Sequence, residues 1–418
     1  MNVPKGYKMT EVGVIPEDWE VYRIGDIANV TRGASPRPID SPIWFDDSSL
    51  IGWVRISDVT RSSKFLEETA QKLSILGIKQ SRFVKQNSLI MSICATVGRP
   101  ILTKIDVCIH DGFVVFSNLS LEEEYLYYLL LFIEKDWSKN GQIGSQMNLN
   151  TELINSTLIP IPRNTREQQS IARVLSDTDE LINALDKLIA KKRDIKKAVM
   201  QELLTGKTRL PGFSGEWEVK KLGDHLEFLR NGVNSRAELA IDAPVKYLHY
   251  GDIHGSNSVF LNPLKLPSLP SSKASSLSRL KNGDLVFADA SEDLDGVGKS
   301  VEITGASRIE LVAGLHTIAV RFDNGVLADG FKAYLQFHPT FINQLRRLAS
   351  GTKVYATNRS HIASIEINLP SIEEQQAIAQ VLSDMDREIT ALEQRRDKTK
   401  ALKQGMMQAL LTGRIRLH

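Results

Sequence analysis

The stretch EQQSIARVLSD, Glu167 to Asp177, is written again as EQQAIAQVLSD, Glu374 to Asp384. Each follows an apolar run that ends in proline, LIPIP at 158–162 and EINLP at 366–370. Extended without gaps, Glu167 to Leu210 and Glu374 to Leu417 agree at about half their positions and close on LLTGKTRL and LLTGRIRL. A repeat of this kind takes precedence over local readings. In the first copy Ile171, Val174, Leu175, Leu181, Ile182, Leu185, Leu188, Ile189, Ile195, Val199 and Leu203 recur at three- and four-residue spacing. Lys191, Lys192, Arg193, Lys196 and Lys197 fall on the remaining face. The pattern predicts an amphipathic helix, and Gly206 and Gly413 are its stop signals. Each helix runs to about forty residues, roughly 60 Å at 1.5 Å per residue. That is more than one small domain buries, so each helix needs a partner, and the other copy supplies one.

The match continues outside the helices. EDWEVYRIGDI from Glu17 returns as GEWEVKKLGDH from Gly215, aligning Trp19 with Trp217. Weaker parallels keep their order: WVRISDVT with YLHYGDIHG, QNSLIMS with NGDLVFA, ATVGRP with DGVGKS, and IGSQMNLN with SGTKVYATN. The order along the chain is therefore globule, helix, globule, helix. A helix leading away from the first globule and a second returning to it predict an antiparallel pair, with two similar globules held apart by a coiled coil. A hairpin that merely links two duplicated domains would read the same way. Within each globule, β-branched and apolar runs bounded by Gly, Asn and Pro predict strands, with short helices between them, an α+β class. The aromatic-rich YLYYLLLF from Tyr125 is read as core packing.

Composition excludes several classes. The 418 residues hold 42% hydrophobic and 24% charged side chains, with no apolar run long enough for a membrane span. No signal-peptide pattern opens the sequence, and two cysteines make no disulfide framework, so a cytoplasmic location is expected. Cys94 and Cys108 sit in strand-like runs and read as buried thiols. The net charge of +2 argues neither for nor against nucleic acid.

Catalytic motifs fail on inspection. DGVGKS at 295–300 resembles the end of a phosphate-binding loop, but Asp293 stands where a glycine is needed, and SVEITG reads as a strand rather than a helix. A turn between strands, with Lys299 and its counterpart Arg99 exposed, is the expected structure. No serine-hydrolase elbow, zinc-binding helix or paired Cys/His spacing occurs, and the eight histidines do not cluster. His110 and His316 occupy similar places and read as histidines satisfied at strand ends.

Polar loops recur in corresponding places, carrying groups suited to phosphates and base edges. The first half offers Arg32, Arg37, Arg55, Ser57, Arg61, Arg99, Ser145, Gln146 and Asn148. The second offers Arg230, Asn234, Arg236, His254, Lys299, Thr352, Lys353, Tyr355, Asn358 and Arg359. Arginine and lysine match guanine edges and phosphates, and Asn and Gln match adenine edges. Any solvated loop is rich in the same types. The halves differ most in these loops and least in the helices, which suits two unlike surfaces on a common frame.

With the repeated E-Q-Q…L-L-T-G helices and the paired IPEDWEVYRIGDI and FSGEWEVKKLGDH openings, the whole chain resembles a specificity subunit of a type I restriction-modification system. The resemblance implies a noncatalytic protein with two pseudo-symmetric target-recognition domains, at 1–163 and 207–370. Helical regions at 164–206 and 371–418 would form a long antiparallel coiled coil. It implies that each domain reads one half of a split, asymmetric site in double-stranded DNA. Two modification subunits would dock on the helical regions, where Gln168, Gln169, Leu204, Gln375, Gln376 and Leu411 are the candidate contacts, and would methylate adenine N6. Restriction subunits would translocate and cut. S-adenosylmethionine, ATP and Mg²⁺ would then belong to those partners and no cofactor to this chain. A coiled-coil adaptor with duplicated protein-binding domains is the alternative.

Overall fold

The structure, a computed structural model, describes residues 3–140, 149–349 and 354–417. It divides into two compact units, residues 1–186 with 395–418, and residues 187–394. Both long helices form, Thr165–Leu204 and Ile372–Leu410. The division falls inside each of them, so each unit holds the start of one helix and the end of the other.

The first unit is built on a five-stranded sheet in the order Asn29–Arg32, Phe113–Ser117, Leu89–Ser92, Pro100–Thr103, Phe65–Leu66. The strands Leu89–Ser92 and Pro100–Thr103 are buried at every position, which is why LIMS and PILT read as continuous rather than alternating runs. A four-stranded sheet pairs Val107–Ile109 in parallel with Gly52–Val54. The helix Glu123–Asn140 buries Tyr125 through Leu130 against the core, as read from the sequence. Ile171, Ala172 and Leu175 from one long helix and Met407, Leu410 and Leu411 from the other complete that core.

The second unit repeats the frame. Its five-stranded sheet runs Leu226–Phe228, Thr317–Phe322, Leu285–Ala288, Ser300–Ile303, Phe260–Leu261, and Val245–Leu248 pairs in parallel with Leu311–Ala313. Met200, Leu203 and Leu204 meet Ile378, Ala379 and Leu382 in its core. DGVGKS is a turn leading into the strand Ser300–Ile303.

The helices pair antiparallel within each unit. In the first, Lys403 binds Asp179 at 2.6 Å and Arg396 binds Asp186 at 3.4 Å. In the second, Lys192 binds Glu388 at 2.7 Å, with Arg193–Glu393 and Lys196–Asp386 beside it. The cationic face expected to point away from the partner helix is thus partly corrected: three of its five residues lie along the seam. Exposed ion pairs contribute up to about 1 kcal/mol each, whereas a buried Leu or Ile contributes about 1.5–3 kcal/mol. Buried Ile182 and Leu185 in one unit and Ile189 and Ile389 in the other therefore hold the pairing, and the charges set its register.

Candidate nucleic-acid interface

In each unit a short helix follows the strand that opens the smaller sheet, and one carboxylate starts it. Asp58 accepts the Arg55 backbone N–H at 2.8 Å and the Arg61 guanidinium at 2.6 Å. Asp252 accepts the His249 backbone N–H at 3.0 Å and the Arg236 guanidinium at 2.7 Å. This cap satisfies a donor that the helix start leaves open. It also fixes the direction of the side chains around it.

The first unit gathers guanidinium groups here. Arg32 donates from Nε to the Asp111 carbonyl at 2.7 Å, and Arg37 reaches the Asp111 carboxylate at 3.2 Å. The Ser35 hydroxyl donates to the same carboxylate at 2.7 Å, and with Arg37 it holds Asp111 below the usual carboxylate range. Arg55 donates to Gln71 at 3.1 Å, and Ser57 is exposed at the helix start. Arg37 and Arg61 keep side-chain exposures of 70% and 67%. A guanidinium has five N–H groups, and Arg37 commits one to the carboxylate, leaving donors for phosphate or a base edge. His110 packs beside Trp53 and Phe113 and accepts the Gly112 N–H at 2.9 Å, and burial pushes it toward the neutral form.

The second unit carries guanidinium groups as well and adds other chemistry to them. Arg359 donates to the Leu229 carbonyl and to Asn231, and Arg230 donates to the Ser276 carbonyl. Asn234 donates to Glu238 at 2.9 Å, and Asn358 caps the helix Arg359–Ala363. Tyr355 lies in a short strand paired with Ala290–Ser291. His254 Nε2 lies 2.9 Å from the Ala290 carbonyl, and Lys299 donates to the His254 carbonyl at 2.6 Å. His254 and Lys299 line a cavity of about 1280 Å³ within this unit. Arg99 and Lys299, expected exposed, are both half-buried; Arg99 binds Glu134 at 3.1 Å. Ser145, Gln146, Asn148, Thr352 and Lys353 lie outside the described residues.

The structure also brings Tyr250 and Asp289, which the sequence reading passed over, together with His316. Tyr250 and His316 line the same cavity, with ring centroids 5.5 Å apart, and Asp289 stands 3.3 Å from the His316 imidazole. His316 stands directly before the strand Thr317–Phe322 with Asp289 as its partner, as expected of a strand-end histidine, yet 53% of its side chain is exposed. The signal was available in the repeat, since Tyr250 sits where the first half has Ile56, directly after the capping residue.

The helix candidates divide. Gln169 and Gln376 are exposed. Gln168 and Gln375 are buried, and both ends of each amide are used: Gln168 accepts the Glu122 N–H and donates to the Pro162 carbonyl, while Gln375 accepts the Ala328 N–H and donates to Pro370 and Val326. Leu204 and Leu411 are fully buried. Gln168 and Leu411 are buried in the first unit and Gln375 and Leu204 in the second, where their side chains are used within the fold.

The glutamates of the same motif explain why the repeat is written as it is. Arg416 grips buried Glu167 with Nε at 2.6 Å and Nη2 at 2.8 Å, and the Trp19 indole donates to that carboxylate at 3.3 Å. Arg209 grips Glu374 with two bonds of 2.6 Å, and the Trp217 indole donates at 3.3 Å. Gly206 and Gly413, both at φ +69°, let the chain turn against those indoles.

Among the described residues, no group of three His, Cys, Asp or Glu side chains could hold a metal ion, and no helix is long and apolar enough to cross a membrane. Burial pushes the Cys108 thiol up to about 11 and raises that of Cys94.

The family model for the type I restriction modification DNA specificity domain matches twice, at residues 16–196 and 214–403. The type I restriction enzyme MjaVIII specificity subunit of Methanocaldococcus jannaschii is 26% identical over 428 residues, covering 96% of this chain and 94% of that one. The putative MjaX specificity subunit of the same organism is 25% identical over 99% and 97%. Among solved structures, the type I restriction-modification S subunit from M. genitalium shares the fold at a TM-score of 0.59, with 13% identity and coverage of 96% and 97%. A chain from a study of assembly and conformational transition in the type I system gives 0.60, with 16% identity and coverage of 96% and 99%. The chain therefore belongs to the type I restriction-modification specificity family, as a subunit with two target-recognition domains whose catalytic activities belong to other subunits.

Proposed function

We propose that each unit reads one half of a split site in double-stranded DNA and that the long helices set the spacing between the halves. The observation that carries this is one backbone frame presenting two side-chain sets: guanidinium groups at Arg37 and Arg61 in the first unit, and in the second guanidinium groups at Arg236 and Arg359 accompanied by imidazole, phenol and amide groups. Unlike surfaces on like frames suit an asymmetric site, because base edges are distinguished by donor and acceptor pattern. About 60 Å of helix exceeds the roughly 34 Å of one duplex turn.

The complex would include two modification subunits transferring a methyl group from S-adenosylmethionine to adenine N6, and restriction subunits using ATP and Mg²⁺. Docking would involve Gln169 and Leu181 in the first unit and, separately, Leu188, Ile195 and Gln376 in the second. These three apolar side chains remain exposed at seven-residue spacing on one helix. The boundaries 1–163, 164–206, 207–370 and 371–418 serve as the functional partition. A cytoplasmic location suits such a role.

The test is competition binding by the chain assembled with its modification subunit. Specific duplex should outcompete random duplex by about 10³-fold or more, and affinity should fall steeply with salt. Equal competition by all duplexes would overturn the reading.

A further inference from the structure

The two units share a backbone hydrogen bond that matches their sites residue by residue, although His316 adopts a positive φ and Gly112 does not. Ile93 donates its N–H to the Gly112 carbonyl at 2.8 Å, and Asp289 donates its N–H to the His316 carbonyl at 3.1 Å. The matching caps on Asp58 and Asp252 place Ile56 opposite Tyr250 and Thr60 opposite His254. At four equivalent places, therefore, Ile93, Gly112, Ile56 and Thr60 in the first unit give way to Asp289, His316, Tyr250 and His254 in the second.

Three features single out the second set. His316 adopts φ +56°, a left-handed conformation that strains a residue with a side chain and that glycine adopts freely. Asp289 Oδ1 is inaccessible to solvent and faces the His316 imidazole Nδ1 at 3.3 Å. A buried carboxylate oxygen against the imidazole, in a left-handed turn, holds the His316 ring at the surface of the fold. Tyr250, itself exposed, is fixed by edge contacts to His254 and His316, at centroid distances of 6.1 and 5.5 Å. All four residues stand at one cavity wall or directly behind it.

We propose that Tyr250 and His316 are base-reading residues of the second unit, directed at base edges of duplex DNA, with His254 bracing Tyr250 and Asp289 acting as a positioning residue for His316. The proposal rests on the DNA-reading function above. A tyrosine hydroxyl and an imidazole each offer donor and acceptor capacity to a base edge, and the strain at His316 persists because its side chain is needed outside the fold.

The test selects bound duplexes from a randomised pool with the chain assembled with its modification subunit. His316→Gly and Tyr250→Ile each install the first unit's residue. Both variants should melt no lower than the parent by more than a few degrees, keep their partner, and lose preference by about tenfold at one or two positions of a single half-site, the size of one good base contact. Asp289→Ile should lose preference at the same positions as His316→Gly, and Asp289→Asn, which keeps an acceptor, should retain it. A parental motif unchanged in both His316→Gly and Tyr250→Ile would overturn the inference and leave the function intact. A parental pool without any motif would overturn both.

Discussion

Trp19, Glu167 and Arg416 in one unit and Trp217, Glu374 and Arg209 in the other meet at closely matching distances, yet the turn that follows the parallel strand carries Gly112 in the first and His316 in the second. The first comparison concerns groups that must satisfy one another. A buried carboxylate tolerates neither loss nor displacement of its cation, so both copies keep the same solution. The second concerns a turn where the units differ: at Gly112 the fold leaves no room for a Cβ beside Cys94 and His110, whereas the His316 side chain is half exposed. What the units share is therefore the fold's requirement, and of what separates them the exposed His316 side chain is available for recognition.

The largest effect should come from breaking the common frame between the units. Removing Lys191 to Asp194 deletes about 6 Å of one helix and two of the seam's ion pairs. The spacer in the methylated motif should change or methylation should cease, while any surviving half-sites keep their sequences. An unchanged spacer, read from N6-methyladenine mapping, would make the helices a passive link.

Arg416→Ala and Arg209→Ala sharpen the shared half of the comparison. Each leaves a buried glutamate unpaired and should cost about 3–5 kcal/mol, read as loss of stability in denaturant. Because Arg416 also binds Asp18, with bonds of 2.8 and 2.6 Å, its loss should cost more. Equal and small losses would mean that solvent reaches both carboxylates.

A smaller effect separates the cores. Glu302 of the second unit stands where the first has Leu102; burial pushes it up to about 7 although it accepts the Gly330 and Ala333 N–H groups at 2.6 and 2.9 Å. The unfolded chain releases this proton near 4.5. The folded state therefore binds more protons between about 4.5 and 7, and stability declines as pH rises through that window. Melting of the second unit should fall from pH 5 to pH 8, and Glu302→Gln should flatten that component. An identical slope in the variant would assign the pH dependence to other groups.

The helices were legible because their apolar period and stop glycines are local, and the central strands because burial on both faces leaves unbroken apolar runs. The site was legible as a set of loops and not as a set of side chains. Arg359 is tied to Asn231 across 128 residues, and Lys299 to His254 across 45, and no local pattern records either bond. Gln168 and Gln375 recur for a reason the repeat alone misassigns, since residues kept for folding and residues kept for docking look alike in one sequence. The left-handed turn at His316 is likewise invisible until the backbone places Asp289 beside it.

The central claim is that two unlike readers on one frame recognise two unlike half-sites at a set distance. Co-expressing the chain with its modification subunit in a host without adenine methylation, then mapping N6-methyladenine across the genome, tests it most directly. The account predicts methylation confined to one split, asymmetric motif with a single spacer length. Active methyl transfer with no motif, or with a continuous one, would contradict it.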